Sequence, residues 1–255
     1  MKIRLSISLL FITVILIGLL SCKKAGDTDT SLDIPEASES SLLHLSEDMG
    51  QEYIDSLIFV GESTTYHLKS RGILKDGKDT KQVWMPKNGT LNLDMTTKNA
   101  LIVYPETNEL LSISEAARIA KPKYIVFTFG LNGAVQNIKK GADYYKSCYL
   151  SLINSVRETS PETKIILQSA PPIARNMDVS NYSVSREELN QYIRQINAWT
   201  LEIASEEGLG YLDSASVLSD SEGFLRYEFQ NGDGHHLTSA AYKEMLYYIR
   251  THGYK

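Results

Sequence analysis

The sequence predicts an α/β domain with a parallel sheet that is covered by helices on both faces. Short, nearly continuous apolar runs alternate with longer segments whose apolar residues recur every three or four positions. Such apolar runs are typical of strands that are buried on both sides, because each crossover lays a helix on the sheet. The alternation continues across residues 57–251 without an internal repeat, so residues 42–255 are predicted to form one domain.

The individual elements follow from these two periodicities. Strands are predicted at residues 57–60, 82–85, 100–103, 124–129, 164–168 and 210–213. Helices are predicted at residues 112–120, 142–159, 185–207 and 238–251. Ligands of open parallel sheets bind beyond the carboxyl ends of the strands. Ser63 follows the first strand, Asn132 follows the strand at 124–129, and Asp233 lies between the last strand and the last helix. All three are therefore expected at the same edge of the sheet.

The N-terminus is typical of an export signal. Lys2 and Arg4 precede an uncharged apolar run that is short for a membrane span, and Cys22 follows it. This cysteine resembles the lipid-bearing cysteine of bacterial lipoproteins, which predicts a signal peptide at residues 1–21. Leu20 is bulkier than the residue usual at that position, so an uncleaved N-terminal anchor is the alternative. Both interpretations place the domain outside the cytoplasm.

Residues 22–41 are rich in Ser, Asp, Thr and Glu, and they are predicted to be a flexible tether carried by the lipid on Cys22. Removal of residues 1–21 takes away two positive charges and moves the formal charge from -5 to -7. This balance argues against nucleic acid as a partner. Cys148 is the only other cysteine, and its apolar helical surroundings predict a buried thiol without chemistry.

A nucleophile, a base and an acid can be assembled from two distant segments. A serine hydroxyl needs an imidazole within hydrogen-bond reach, and the imidazole needs a carboxylate that fixes its tautomer. Ser63 could supply the first group, and His236 and Asp233 the other two from one short loop. Each residue has a simpler explanation: a serine after a strand can cap a helix, and Asn132 and Asp233 are common turn residues.

Three segments in order resemble the SGNH, or GDSL-type, esterases and acylhydrolases. Residues 58–63 (IFVGES) resemble the first block of that family, residues 127–132 (FTFGLN) the Gly-x-Asn block, and residues 233–237 (DGHHL) the closing Asp-x-x-His block. The resemblance spans residues 57–242, which is most of the predicted domain. It implies a three-layer α/β/α domain of the flavodoxin-like kind, with a central five-stranded parallel sheet, and hydrolysis of esters through an acyl-enzyme.

The resemblance also implies residue roles. Ser63 would be the nucleophile, His236 the base and Asp233 the carboxylate that orients it. The oxyanion would be bound by the backbone N–H of Ser63, the backbone N–H of Gly89 and the side-chain amide of Asn132. A neutral amide with a fixed geometry suits this task, since it donates where negative charge develops.

Two positions depart from the family pattern. Glu62 stands where the family has Asp, and the longer side chain could shift the turn or point outward. Gly133 stands where the family often has Asp. The spacing of Asp233 and His236 leaves His235 as a solvent-facing residue or a residue at the rim of the substrate site. The other histidines, His44, His67 and His252, show no metal-ligand spacing, and no metal or other cofactor is expected.

Together these observations predict a serine esterase, anchored by lipid outside the cytoplasm, that acts on an acylated small molecule or glycan such as an O-acetylated polysaccharide. Two alternatives remain open. A degenerate domain could bind glycans without cleaving them, or the same serine could pass an acyl group to a sugar hydroxyl instead of water. The sequence does not indicate an oligomeric state.

Overall fold

The computed structural model describes residues 41–96 and 100–255. The strands are β1 Leu57–Gly61, β2 Leu101–Val103, β3 Leu110–Ser112, β4 Tyr124–Thr128, β5 Lys164–Gln168 and β6 Gly210–Leu212. The helices are α1 Gly50–Asp55, α2 Ser63–Ser70, α3 Leu93–Thr96, α4 Ile113–Ala120, α5 Ala134–Lys140, α6 Ala142–Thr159, α7 Arg186–Glu206, α8 Ser214–Leu218 and α9 Ser239–Thr251. The predicted signal peptide at 1–21 and the tether, up to residue 40, lie outside the described residues.

The central sheet is parallel, as predicted, with the strand order β1-β4-β5-β6. It has four strands rather than the five expected, because the segment at 82–85 forms only one bridge beside β1. Phe59 donates its N–H to Gln82 at 2.7 Å and accepts the N–H of Trp84 at 3.1 Å. Met85 then forms an antiparallel bridge with Val103, so the segment leaves the edge of the central sheet after a single bridge to β1.

The strand expected at 100–103 lies outside the central sheet. As β2 it pairs with β3 in a separate antiparallel ribbon, with Ile102 opposite Leu111. Leu101 is 47% exposed, whereas every residue of β4 is buried. The apolar run therefore indicated a strand correctly, but periodicity alone does not show which sheet a three-residue strand joins.

Helices cover both faces of the central sheet. Successive residues of a strand face opposite sides, and the residues at the start of β4 and just after it lie on opposite faces of the sheet. The ring of Tyr124 packs edge-on against Tyr53 of α1 at a centroid distance of 5.3 Å. Phe129, just beyond β4, packs against Tyr149 of α6 at 5.9 Å. Helix α9 contacts both α1 and α8, and α4 to α7 form a second group, which gives three layers.

The four predicted helices are present as α4, α6, α7 and α9, with bounds that differ by one residue at most. Three of these helices have an N-cap side chain that accepts a backbone N–H of the first turn: Ser112 on α4, Ser185 on α7 and Thr238 on α9. Ser185 also forms a capping box with Glu188. Cys148 is buried on α6, as predicted. In the part of the chain that is described, no helix combines the length and apolar character needed to cross a membrane.

Candidate active site

Ser63, His236 and Asp233 form a continuous hydrogen-bonded chain. The Oγ atom of Ser63 lies 2.9 Å from Nε2 of His236, and Nδ1 of His236 lies 2.7 Å from Oδ2 of Asp233. A carboxylate at Nδ1 favours the tautomer that carries its proton there and leaves Nε2 free to accept the serine proton. The structure thus brings together the three residues predicted as nucleophile, base and acid, with the geometry that activates a serine hydroxyl.

The nucleophile segment is held by contacts on both sides. Ser63 is the first residue of α2 and directly follows the turn that ends β1. Gly61 packs against the next strand so closely that a Cβ atom there would lie 2.3 Å from the carbonyl oxygen of Thr128. On the other side, the Tyr242 hydroxyl of α9 donates to the carbonyl oxygen of Thr64 at 2.6 Å. The position of Ser63 is therefore fixed by the sheet and by the last helix together.

The loop of the acid and base is also tied down. Asp233 accepts the backbone N–H groups of His235 and His236 on Oδ1 at 3.0 and 2.9 Å. Gly234 has φ of 84°, and a Cβ atom there would lie 2.5 Å from the backbone of Met177. Its carbonyl oxygen accepts the N–H of Ala174 at 2.7 Å. Glycine is required here both for the left-handed backbone and for the close approach.

Asp233 is ionised at any ordinary pH. Partial burial raises the pKa of Asp233, but the backbone hydrogen bonds from His236 and His235 and the bond to the His236 ring outweigh this effect. Together they hold the pKa well below its usual range. The carboxylate is therefore available as a charge that stabilises an imidazolium on His236.

Two further imidazoles flank His236. The ring centroid of His235 lies 3.9 Å and that of His67 4.4 Å from the ring centroid of His236. The side chain of His235 is 26% exposed, so it is a partly covered neighbour of the base rather than a fully solvent-facing residue. Burial is the main cause that lowers the pKa of His67 to about 4, and the nearby His236 contributes to the same shift, so His67 is neutral at pH 7. Sequence reasoning missed this role of His67; its position four residues after Ser63 on one helix face was the available signal.

Asp233, His235 and His236 are the group of described residues that could hold a metal ion, since their ligand atoms lie within 4.8 Å of one another. Both ring nitrogens of His236 are already engaged, one by Asp233 and the other by Ser63. A metal ion at this cluster would therefore compete with the hydrogen-bonded chain that activates the serine.

The predicted oxyanion donors lie in three segments: Ser63 begins α2 after β1, Gly89 follows the edge segment at 82–85, and Asn132 follows β4. The side-chain amide of Asn132 donates to Oγ1 of Thr90 at 3.0 Å, which fixes its plane and leaves its second N–H for another acceptor. The Gly89 N–H donates to the carbonyl oxygen of Pro86 at 2.9 Å, within a tight turn beside the Tyr66 ring. The Ser63 N–H stands in the first turn of α2, where backbone donors have no partner within the helix. Thr90 is a site residue that the sequence did not single out.

Glu62 points into the protein. Its carboxylate is buried and accepts three consecutive backbone N–H groups: Gly130 on Oε1 at 2.9 Å, Leu131 on Oε2 at 3.1 Å and Asn132 on Oε1 at 3.0 Å. Burial raises the pKa of Glu62 to about 7, while the three hydrogen bonds act in the opposite direction. Of the two outcomes considered from the sequence, an outward orientation is wrong. The other departure, Gly133, directly precedes helix α5.

Comparisons with known proteins agree with this fold. The chain resembles solved structures described as a platelet activating factor from Streptococcus pneumonia (17% identity, 76% of this chain and 82% of that chain, TM-score 0.55) and an acylhydrolase from Bacteroides fragilis (17%, 86% and 89%, 0.52). An extracellular lipase from Streptomyces rimosus is also similar (11%, 77% and 99%, 0.51). At these identities the similarity shows a shared fold. No curated protein sequence matches the chain.

The family is shown by the sequence itself. Residues 59–244 match the GDSL-like Lipase/Acylhydrolase family, and this span includes every residue of the candidate site. It runs from β1 to α9 and so covers nearly all of the central sheet and every helix except α1. The chain therefore belongs to the GDSL-like lipase/acylhydrolase family and is a serine ester hydrolase.

Proposed function

We propose that this enzyme removes short acyl groups, such as acetyl, from glycans of the cell envelope or its surroundings through an acyl-enzyme on Ser63. The observation that carries the proposal is the hydrogen-bonded chain from Ser63 to His236 and Asp233, at 2.9 and 2.7 Å. Cys22 would carry the lipid that holds the domain outside the cytoplasm.

In the first step, Nε2 of His236 takes the proton of Ser63 while Oγ attacks the ester carbonyl carbon. The carbonyl oxygen becomes an oxyanion, for which the Ser63 N–H and the Asn132 amide are the proposed donors. Gly89 would join them if its N–H leaves Pro86 when substrate binds. Collapse of this intermediate breaks the bond to the alcohol, which leaves with the proton held by His236.

In the second step, water replaces the alcohol. His236 takes a proton from the water as it attacks the acyl carbon, and the proton returns to Ser63 Oγ when the acid is released. The partial exposure of the site supports hydrolysis over transfer to a sugar, because an acyltransferase must exclude water at the acyl-enzyme stage. The Asp233 side chain is 40% exposed and that of His236 19%.

The glycan is proposed from the shape and charge of the domain. The site lies at loop ends on the sheet edge, where a bulky polymer can approach, and His235 borders it. The negative charge of the exported chain favours a neutral or weakly charged acylated substrate over an anionic lipid surface.

A short-chain aryl ester, supplied with and without an acetylated or unacetylated glycan, tests this function. We expect release of the aryl alcohol, release of acetate from the acetylated glycan, and no transfer to the unacetylated glycan. Transfer products would instead establish an acyltransferase, and binding of the glycan without any turnover would establish a non-catalytic module. Wild-type and Ser63→Ala protein should be compared in each reaction, because background hydrolysis is common with activated esters.

A further inference from the structure

One buried side chain joins the two halves of the proposed active site. Glu62 directly precedes Ser63, and its carboxylate accepts the N–H groups of Gly130, Leu131 and Asn132 at 2.9 to 3.1 Å. Only 5% of Glu62 is exposed. The segment that presents the nucleophile therefore also binds the backbone of the segment that presents Asn132.

We propose that Glu62 is a positioning residue that fixes the Asn132 loop relative to the Oγ atom of Ser63. It does so through the backbone, whereas Thr90 orients the Asn132 amide through its side chain. The inference rests on the proposed function, because it takes Asn132 to be an oxyanion donor. Glu62 itself need not contact the substrate.

The length of this side chain matters in this structure. Aspartate would draw the carboxylate back by one carbon–carbon bond, about 1.5 Å. Distances of 2.9 to 3.1 Å would then exceed hydrogen-bond range unless the loop moved. Three buried N–H groups left without an acceptor are costly, so the loop of residues 130–132 would shift toward β1. The residue common in the family is therefore not equivalent to Glu62 in this chain.

The protonation state of the carboxylate also matters. An ionised carboxylate accepts all three N–H groups, but a protonated one carries a hydroxyl that must itself donate and has less capacity to accept them. The titratable groups on which its charge acts are Tyr145 and Tyr149 of α6 and Tyr182 in the segment before α7. Burial raises the pKa of each phenol, so all three stay neutral near pH 7. Within the described residues, burial and the three N–H groups account for the pKa of Glu62, with no cation among the causes.

The test compares wild type, Glu62→Gln and Glu62→Asp as full chains, with Glu188→Gln as the matched control. Glu188 is also a carboxylate that accepts a backbone N–H, at the start of α7, and it has no place in the site. Two measurements are made on each protein: the backbone amide chemical shifts of residues 130–132 across pH, and kcat and KM for a short-chain aryl ester.

We expect the three amides of wild type to titrate together and those of Glu62→Gln to stay flat. We also expect kcat of both Glu62 variants to fall about tenfold to a hundredfold with KM nearly unchanged, since a misplaced donor weakens only the transition state. Glu188→Gln should match wild type in both measurements.

The proposal is overturned if Glu62→Gln keeps the wild-type kcat, or if the amide shifts of residues 130–132 do not respond to Glu62. Should Glu62→Gln fail to fold, the same criteria apply to Glu62→Asp. If wild type lacks esterase activity, the proposed function fails, and the amide titration alone decides whether Glu62 holds the loop.

Discussion

The imidazole of His67 packs against that of His236, with their ring centroids 4.4 Å apart and their planes at 51°. His67 lies on α2, four residues after Ser63, so a single helix presents both the nucleophile and a support for the base. Its Nδ1 atom is buried without a hydrogen-bond partner in the described part of the chain. We therefore expect the contact to act through ring packing.

This contact predicts different outcomes for two substitutions of His67. His67→Phe keeps an aromatic ring against His236 and removes the unpaired nitrogen, so kcat and its pH profile should stay close to wild type. His67→Ala leaves a gap beside the base, and kcat should fall about tenfold, because a small displacement of a catalytic group is costly. Steady-state kinetics across pH check both variants. Loss of activity in His67→Phe would show that the imidazole has a chemical role.

The hydrogen-bonded chain predicts that Ser63 and His236 act as a unit. Ser63→Ala and His236→Ala should each lower turnover by orders of magnitude, and the double variant should lose little more than either one. A fluorophosphonate probe should label wild type at Ser63 and should not label Ser63→Ala. His235→Ala is the matched control: it removes the neighbouring imidazole and should mainly change KM. Full activity in His236→Ala would refute the assignment of the base.

The bond between Asn132 and Thr90 predicts a role for a hydroxyl that the sequence did not indicate. Thr90→Val keeps the shape but removes the acceptor at 3.0 Å, so the Asn132 amide is free to rotate. We expect kcat to fall about tenfold, which is less than the loss of the donor itself. Thr90→Ser retains the hydroxyl and should restore most of the rate. Equal rates for the valine and serine variants would indicate that Asn132 is held by other contacts.

Glu62 predicts an unusual dependence of stability on pH. Burial raises its pKa from 4.5 to about 7, so the folded state binds the proton more tightly than the unfolded state. The stability from this group is fully present below pH ~4.5 and is lost as the pH rises to ~7, by on the order of 3 kcal/mol. Glu62→Gln cannot ionise and should not show this loss. Urea unfolding of both proteins at pH ~5 and ~9 measures the difference, and parallel curves would contradict the prediction.

The predicted lipid anchor is tested at Cys22. Cys22→Ala should release the protein from the membrane fraction or leave an unprocessed precursor, because the lipid is attached to that sulfur. Fractionation with mass measurement of the mature protein checks this. Membrane retention at an unchanged mass would support an uncleaved N-terminal anchor instead.

The sequence predicted the residues that meet in the site because the carboxyl ends of parallel strands share one edge. Ser63, Asn132 and Asp233 each lie close after a strand or before a helix, so their approximate position followed from periodicity and topology. The family resemblance then distinguished His236 from His235. The direct bond between Ser63 and His236 agrees with that choice.

Other features depend on side-chain direction and on short-range packing, which periodicity does not encode. Helix α2 was not predicted because its residues are mostly polar and include two threonines with weak helix preference. The inward orientation of Glu62 depends on three N–H groups that lie 68 to 70 residues away along the chain. The edge segment at 82–85 has the composition of a strand, but it leaves β1 after a single bridge.

The contact between Tyr242 and Thr64 joins residues 178 positions apart. Ser63 and its base are 173 positions apart, so a chain interrupted before residue 233 contains a serine that nothing activates. Long-range contacts of this kind form late, since the intervening chain must first be ordered. During synthesis, hydrolytic capacity should therefore arise only when the final helix has been made and has docked. An incomplete chain would contain the central sheet and Ser63, but it would not hydrolyse esters, because the serine would lack its base.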